Sequence, residues 1–314
     1  MPTSPNVYEI PHPYLEAELF DVNYVQSADV ITLVHPNHAP RELRRLGATQ
    51  WELRVIDFGS PLSAPSGVSV SMYIPSSTST STDTYVAHEY VVTAVKANLV
   101  DESNQSSSAS VNNNIFVTGA KNTITWNAVA DASRYRVYKQ QGGIYGFLGE
   151  TTGTTLVDDN ISPDFSRTPP IHENDFVGTG NYPGAVSYFE QRRVFAGTNN
   201  APQNIWMTKS GTESNMSFGI PIRDDDRIEF RVAAREANTI RHIVPLTNLL
   251  MLTGSAEWRV TSVNSDAITP TSISVKPQSY VGANNAQPVI VNNSLVYGAA
   301  RGGHVRELGY HRHA

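Results

Sequence analysis

Two histidines three positions apart, in His35-Pro36-Asn37-His38, are side chains able to ligate a metal or carry a proton near neutral pH. One zinc-enzyme motif that carries two ligands locally is HExxH on a helix, where both rings reach the same face. His88-Glu89 and His172-Glu173 begin that pattern, but neither has the second histidine four residues after the first. His35 and His38 follow the apolar run Val30, Ile31, Leu33 and Val34 and are broken by Pro36, Asn37 and Pro40. A strand and then a turn is the expected setting, with both histidines at the corner of a hairpin. His12, His88, His172, His242, His304, His311 and His313 are scattered through unrelated segments, and His311 with His313 is a pair able to chelate adventitiously.

Carboxylates offer a second kind of chemistry. Asp224-Asp225-Asp226, between Arg223 and Arg227, is the densest charge in the chain. It lacks the central glycine and closing glutamate of a calcium loop, so a solvated turn before the strand RIEFRV is expected. Asp158-Asp159 and Asp101-Glu102 read as turn caps at strand ends. Glycoside hydrolysis needs two carboxylates across a cleft, a separation that linear order does not disclose. There is no GxSxG elbow and no GxxxxGK[ST] loop, and GTGNYPG at 178–184 lacks the strand-then-helix setting of a dinucleotide site. Gln191-Arg192-Arg193 and Arg41 to Arg45 are the basic clusters, expected to form salt-bridged sheet edges rather than a phosphate site. No catalytic, cofactor-binding or metal-ligating residue is assigned on these grounds, no cofactor is expected, and the chain is expected not to be an enzyme.

The elements that would position such residues follow from composition. At 314 residues two domains are expected, and the absence of cysteine removes disulfides, thiolate metal sites and cysteine nucleophiles together. Charged residues are 17% of the chain with a net charge of −6, so no global basic field exists to hold nucleic acid by its phosphates. An acidic wall would instead let a strand pass without sticking. The opening MPTSPNVYEIPHPY has no basic stretch followed by an apolar core, and no segment is long and apolar enough for a membrane helix. The expectation is a soluble protein not exported by a standard signal.

Only PYLEAELF at 13–20 has helical spacing, through Leu15, Leu19 and Phe20. TQWELRVIDF at 49–58 alternates as a strand burying Trp51, Leu53 and Val55 would. Residues 1–61 are therefore expected to hold the first sheet, and 62–165 a separate module punctuated by a Ser/Thr loop at 76–82. In that module Trp126 of ITWNAV and Tyr135 and Val137 of RYRVYK resemble the core tryptophan and following strand of a fibronectin type III domain. The stretch EYVVTAV…ESNQSSSASV looks like the last two strands of such a domain, yet precedes the tryptophan, so 62–165 is either one circularly permuted β-sandwich or parts of two. The first is expected, because about 100 residues fits a single sandwich.

Residues 166–314 repeat the plan of 27–47: AVSYFEQRRVFAGTNNAPQNIWMTKSG at 185–211, HIVPLTNLLMLTGSAEWRVTS at 242–262 and QPVIVNNSLVYGAARGGHVRELGY at 287–310. Each has an apolar strand, a polar pair, a second apolar strand and a small-residue turn. That repeat suggests propeller blades, although no WD or kelch signature is present. The fold class expected is all-β: a partial or complete set of propeller-like blades with an inserted fibronectin-like sandwich.

SADVITLVHPNHAPRELRRLG, YFEQRRVFAGT…PQNIWMTKSG and LTNLLMLTGSAEWRVTS together resemble the tail nozzle (tail tubular) proteins of short-tailed bacteriophages, from about residue 20 onward. The resemblance implies a structural virion protein, assembled in the host cytoplasm, that forms a sixfold homo-oligomeric ring. It also implies an adaptor ring above, fibres or spikes around, and DNA passing transiently through the centre. Family members continue past the length of this chain, which fits an unfinished propeller. The competing reading is a β-propeller that binds or degrades surface glycans; adhesion through the fibronectin-like module alone is the weakest.

Overall fold

Short β-branched runs cut by Asn, Gly, Pro and Ser leave few stretches in which a helix could propagate. The computed structural model describes residues 9–76, 84–233 and 238–309, and among these the regular structure is antiparallel β-sheet apart from one short 3-10 helix. The chain forms two compact units: one from residues 1–57, 174–214 and 227–314, the other from 58–173 and 215–226.

The first unit opens on a short 3-10 helix, Glu16–Asp21, rather than the longer helix that 13–20 suggests. Leu15, Leu19 and Phe20 are exposed, so their spacing marks no buried face and nothing apolar rewards a longer helix. Then comes a four-stranded meander of β1 (Asn23–Ser27), β2 (Val30–His35), β3 (His38–Arg45) and β4 (Trp51–Val55). The strand expected at 49–58 is present as β4, but Trp51 and Val55 are exposed and Leu53 only half-buried, because β4 is the outermost strand.

The chain then builds the second unit: β5 (Ser69–Tyr73), β6 (Val86–Val95), β7 (Ala109–Asn113), β8 (Lys121–Thr125), β9 (Arg134–Gln141), β10 (Ile144–Thr151), β11 (Thr155–Asp158) and β12 (Ile171–His172). One sheet has the order β10-β9-β6-β7 and another β11-β8-β5. Tyr90, Val92 and Ala94 of β6, Ile124 of β8, Tyr135 and Val137 of β9, Leu148 of β10 and Trp126 form one core that both sheets supply. Apart from Ser76, the Ser/Thr run at 76–82 lies outside the described residues, as do His311 and His313.

Back in the first unit come β13 (Ala185–Phe189), β14 (Arg192–Ala196) and β15 (Asn204–Met207). A brief return to the second unit adds β16 (Ser217–Phe218), paired with β12. β17 (Ile228–Arg231) then completes a sheet of order β13-β14-β15-β17. β18 (Ile240–Pro245), β19 (Leu249–Thr253), β20 (Glu257–Thr261) and β21 (Ser274–Ser279) form the next meander, and β22 (Val289–Val291), β23 (Ser294–Gly298) and β24 (Val305–Gly309) the last. The polar pairs Glu190-Gln191 and Asn292-Asn293 take positive φ at both positions, as two-residue hairpin loops require to match strand twist.

Successive sheets of this unit share cores in a regular way. β1 lies beside β13, and β13 beside β18, so the first strands of three meanders are neighbours. Within β19, Leu249 and Met251 enter a core with Val194, Ile205 and Met207 of the preceding sheet, while Leu250 and Leu252 enter another with Leu295 and Tyr297 of the following one. Alternate side chains of a strand point to opposite faces, so this sheet is covered on both sides. At Gly197, φ is +69° and a Cβ would collide with the Ile240 carbonyl, so glycine is required where these two sheets meet.

The basic clusters are salt-bridged, but Arg193 is not at an edge: it is fully buried at 0% exposure. Its guanidinium donates to Glu42 Oε1 at 2.9 Å, to Glu213 Oε2 at 2.7 Å and to the Tyr188 hydroxyl at 3.0 Å. Glu42 also accepts from Arg54 at 2.9 Å. Removing one partner of a buried pair strands the other charge and costs about 3–5 kcal/mol. Arg193→Met is therefore expected to speed hydrogen exchange throughout the first unit's sheets, read by mass spectrometry of peptides from each unit. Trp126→Ala, with an expected cavity cost of about 3–5 kcal/mol, should do the same for the second unit. Equal acceleration of both units by either substitution would contradict the division.

Candidate functional site

The β2–β3 hairpin turns at Pro36-Asn37, and its register places His35 directly opposite His38. Cross-strand partners project to the same face, and the two rings lie 5.2 Å apart between centroids. Glu18, from the 3-10 helix, meets this pair: its Oε2 lies 2.7 Å from His38 Nε2, and its Oε1 accepts from Asn37 Nδ2 at 3.1 Å. The Leu15 backbone N–H donates to Oε2 at 3.0 Å, so the same carboxylate caps its own helix. Ligand atoms of Glu18, His35 and His38 all fall within 4.8 Å of one another. Among the described residues this is the one cluster of three such groups with metal-ligand spacing.

The electrostatics follow from these contacts. The Leu15 amide, then His38 and Asn37, hold the Glu18 carboxyl down at about 2, so it is ionised at any ordinary pH. Burial pushes the His35 imidazole below its usual range. His35 Nδ1 accepts the Asn37 backbone N–H at 3.1 Å, which puts the proton of the neutral ring on Nε2. Tyr14 covers both rings edge-on, with centroids 6.3 Å from His35 and 5.2 Å from His38.

Glu18, His35 and Asn37 form one end of an open cleft of about 460 Å³ in the first unit. Its other walls include Asp21, Asn23, Asn199, Asn238, Arg241 and Asn285. Amides, one guanidinium and carboxylates predominate, so the cleft suits a polar ligand with many hydroxyl or water contacts better than an apolar one. His242 also lines it, buried, with Nε2 donating to the Asn284 carbonyl at 2.9 Å.

No family model matches this sequence, and no curated protein matches it.

The remaining acidic groups are placed as structural hydrogen-bond acceptors. Asp226 Oδ2 accepts the Gly219 and Arg223 amides, at 3.0 and 2.9 Å, and Asp225 faces Arg223 at 3.6 Å. Asp226 is itself buried, so that turn is not simply solvated. Asp158 Oδ1 caps the Asn160 and Ile161 amides, as expected of a turn residue, but Oδ2 also takes the Tyr90 hydroxyl at 2.7 Å and Lys139 at 2.8 Å. Glu102 exceeds the capping role as well: buried, it accepts from Thr93 and Tyr138 at 2.5 Å and also pairs with Arg136. GTGNYPG is a loop, contributing Gly184 to the cleft wall. Glu18 was not singled out by sequence, since it lies 20 residues from His38 and belongs to no motif.

Burial depresses the His242 imidazole below its ordinary range, with the Asn284 carbonyl opposing and Arg241 reinforcing that shift. A depressed folded-state value favours the neutral ring. Its stabilisation is present above the ordinary histidine range and is lost as pH falls through the depressed value. His242→Gln, which keeps an N–H donor and cannot ionise, is expected to flatten the acid side of the melting-temperature profile between neutral pH and about pH 5. A profile as steep as that of the parent protein would show that protonation of this ring does not drive the loss.

Proposed function

We propose that this chain is a structural subunit of the tail nozzle of a short-tailed bacteriophage, assembling into a ring through which DNA leaves the particle. The observation that carries the reading is the stacking of successive meanders: alternate residues of β19 feed two cores, and the first strands β1, β13 and β18 lie side by side. Sheets covered on both faces and led by neighbouring first strands are the working principle of propeller blades. On this reading residues 1–61 and 166–314 supply blades. The last sheet leaves Val289, Ile290, Val291 and Val305 exposed, apolar surface of the kind that a further stacked sheet or a neighbouring subunit covers.

The second unit supports the inserted, permuted fibronectin-like sandwich of 62–165. Its sheets β10-β9-β6-β7 and β11-β8-β5 match a four-plus-three sandwich in which β6 and β7 precede the strand leading to Trp126. A net charge of −6 fits a conduit that DNA crosses without being held. Sixfold symmetry, contact with an adaptor ring and with fibres or spikes, and residence in the virion follow from the resemblance of the three long phrases. The polar cleft favours one second reading, a glycan-binding propeller.

Native mass spectrometry and negative-stain electron microscopy of the purified chain, alone and mixed with a tail adaptor protein, are expected to show closed rings of six copies. A monomer under every condition, with retention on host envelope glycans that is lost on Arg241→Ala, would replace the nozzle reading with the glycan one.

A further inference from the structure

The Glu18, His35 and His38 cluster is more than a hairpin corner needs. Turn geometry accounts for Pro36-Asn37, and the strand register accounts for two side chains meeting across the ladder. Neither accounts for a carboxylate from a separate helix being delivered onto the two rings. We propose that Glu18, His35 and His38 bind one divalent transition-metal ion of the zinc class, with solvent from the adjoining cleft completing its coordination.

Three observations carry this. The donor set is two imidazoles and one carboxylate, which suits zinc or cobalt, whereas calcium and magnesium take oxygen donors. All three donors lie within 4.8 Å of one another, close enough for small side-chain adjustments to bring them round a single ion. The supporting shell is present: Asn37 Nδ2 orients Glu18, and Tyr14 packs against both rings with its hydroxyl buried and making no hydrogen bond to the described residues.

The metal-free hydrogen bonds define the competition. His35 Nδ1 is engaged by the Asn37 amide, so an ion must either displace that N–H or bind after the ring turns over and exchanges its proton. At His38 the ion replaces the contact between Nε2 and Glu18. Binding therefore competes with these hydrogen bonds, and its expected affinity is micromolar rather than the nanomolar of a dedicated structural site. Bound metal would fasten the 3-10 helix Glu16–Asp21 to the corner of the first sheet.

The test uses the full chain carrying His311→Gln and His313→Gln, so that the terminal histidines cannot chelate. Zinc titration calorimetry is expected to give one ion per chain. Cobalt should give visible d–d absorption, and calcium and magnesium no response. Glu18→Gln and His38→Gln should abolish the signal, Asn37→Ala should weaken it by about 10- to 100-fold, and His88→Gln, in the second unit, should leave it unchanged. Circular dichroism checks that each variant is folded, and hydrogen exchange over residues 9–22 should slow with zinc only in the parent. Absence of zinc binding, or binding that survives Glu18→Gln and His38→Gln in folded protein, overturns the proposal.

Discussion

A guanidinium removed from water must be met by anions already in place, and the first unit is organised around one such meeting. Arg193 on β14 and Glu42 on β3 belong to different sheets, and both are buried. Their ion pair is rewarded only when the two strands hold one relative register, since a slip of one residue turns either side chain to the opposite face. Arg54, opposite Glu42 on β4, closes the pairing from the other side. Burial alone would raise the Glu42 carboxyl; Arg193 and Arg54 outweigh it and keep the group below its ordinary range. Apolar stacking holds the sheets together, and this charge pair ties β3 to β14 across two of them.

The second unit uses the same device on a smaller scale. Glu102 receives Tyr138, Thr93 and Arg136, while Asp158 receives Tyr90 and Lys139. Burial and then Glu102 push the Tyr138 phenol well above its ordinary range, so it remains a donor at all working pH values. Asn122 donates to the Tyr90 hydroxyl at 2.8 Å and accepts from Asn113 at 2.7 Å, extending one network from β6 to β7 and β8. Polar chains of this kind sit beside the Trp126 core and specify how the two sheets face each other.

Much of this was legible from local pattern. The β-branched runs and Asn or Gly turns marked the hairpins at 27–47, 185–211, 242–262 and 287–310, and each contains antiparallel strands. Local pattern misled where the deciding partner was distant. The 13–20 spacing looked helical because periodicity cannot tell a buried face from an exposed one, and Trp51 looked buried because alternation does not reveal that a strand is outermost. Arg193 read as surface charge for want of any sign that Glu42, 151 residues away, would enclose it. Glu18 escaped notice for the same reason, and Glu102 was read as a cap although its partners lie up to 36 residues on.

The division of the chain has one more consequence. The backbone changes unit at 57/58, 173/174, 214/215 and 226/227, so four covalent crossings join the two bodies. A single proteolytic nick cannot part them, and neither body is a continuous stretch that translation completes before starting the other. β12 must await β16, made some forty-five residues later, so the second unit reaches its final pairing only after β13 to β15 have emerged. Interleaving of this kind makes the order of synthesis part of the folding problem and leaves the two bodies to mature together.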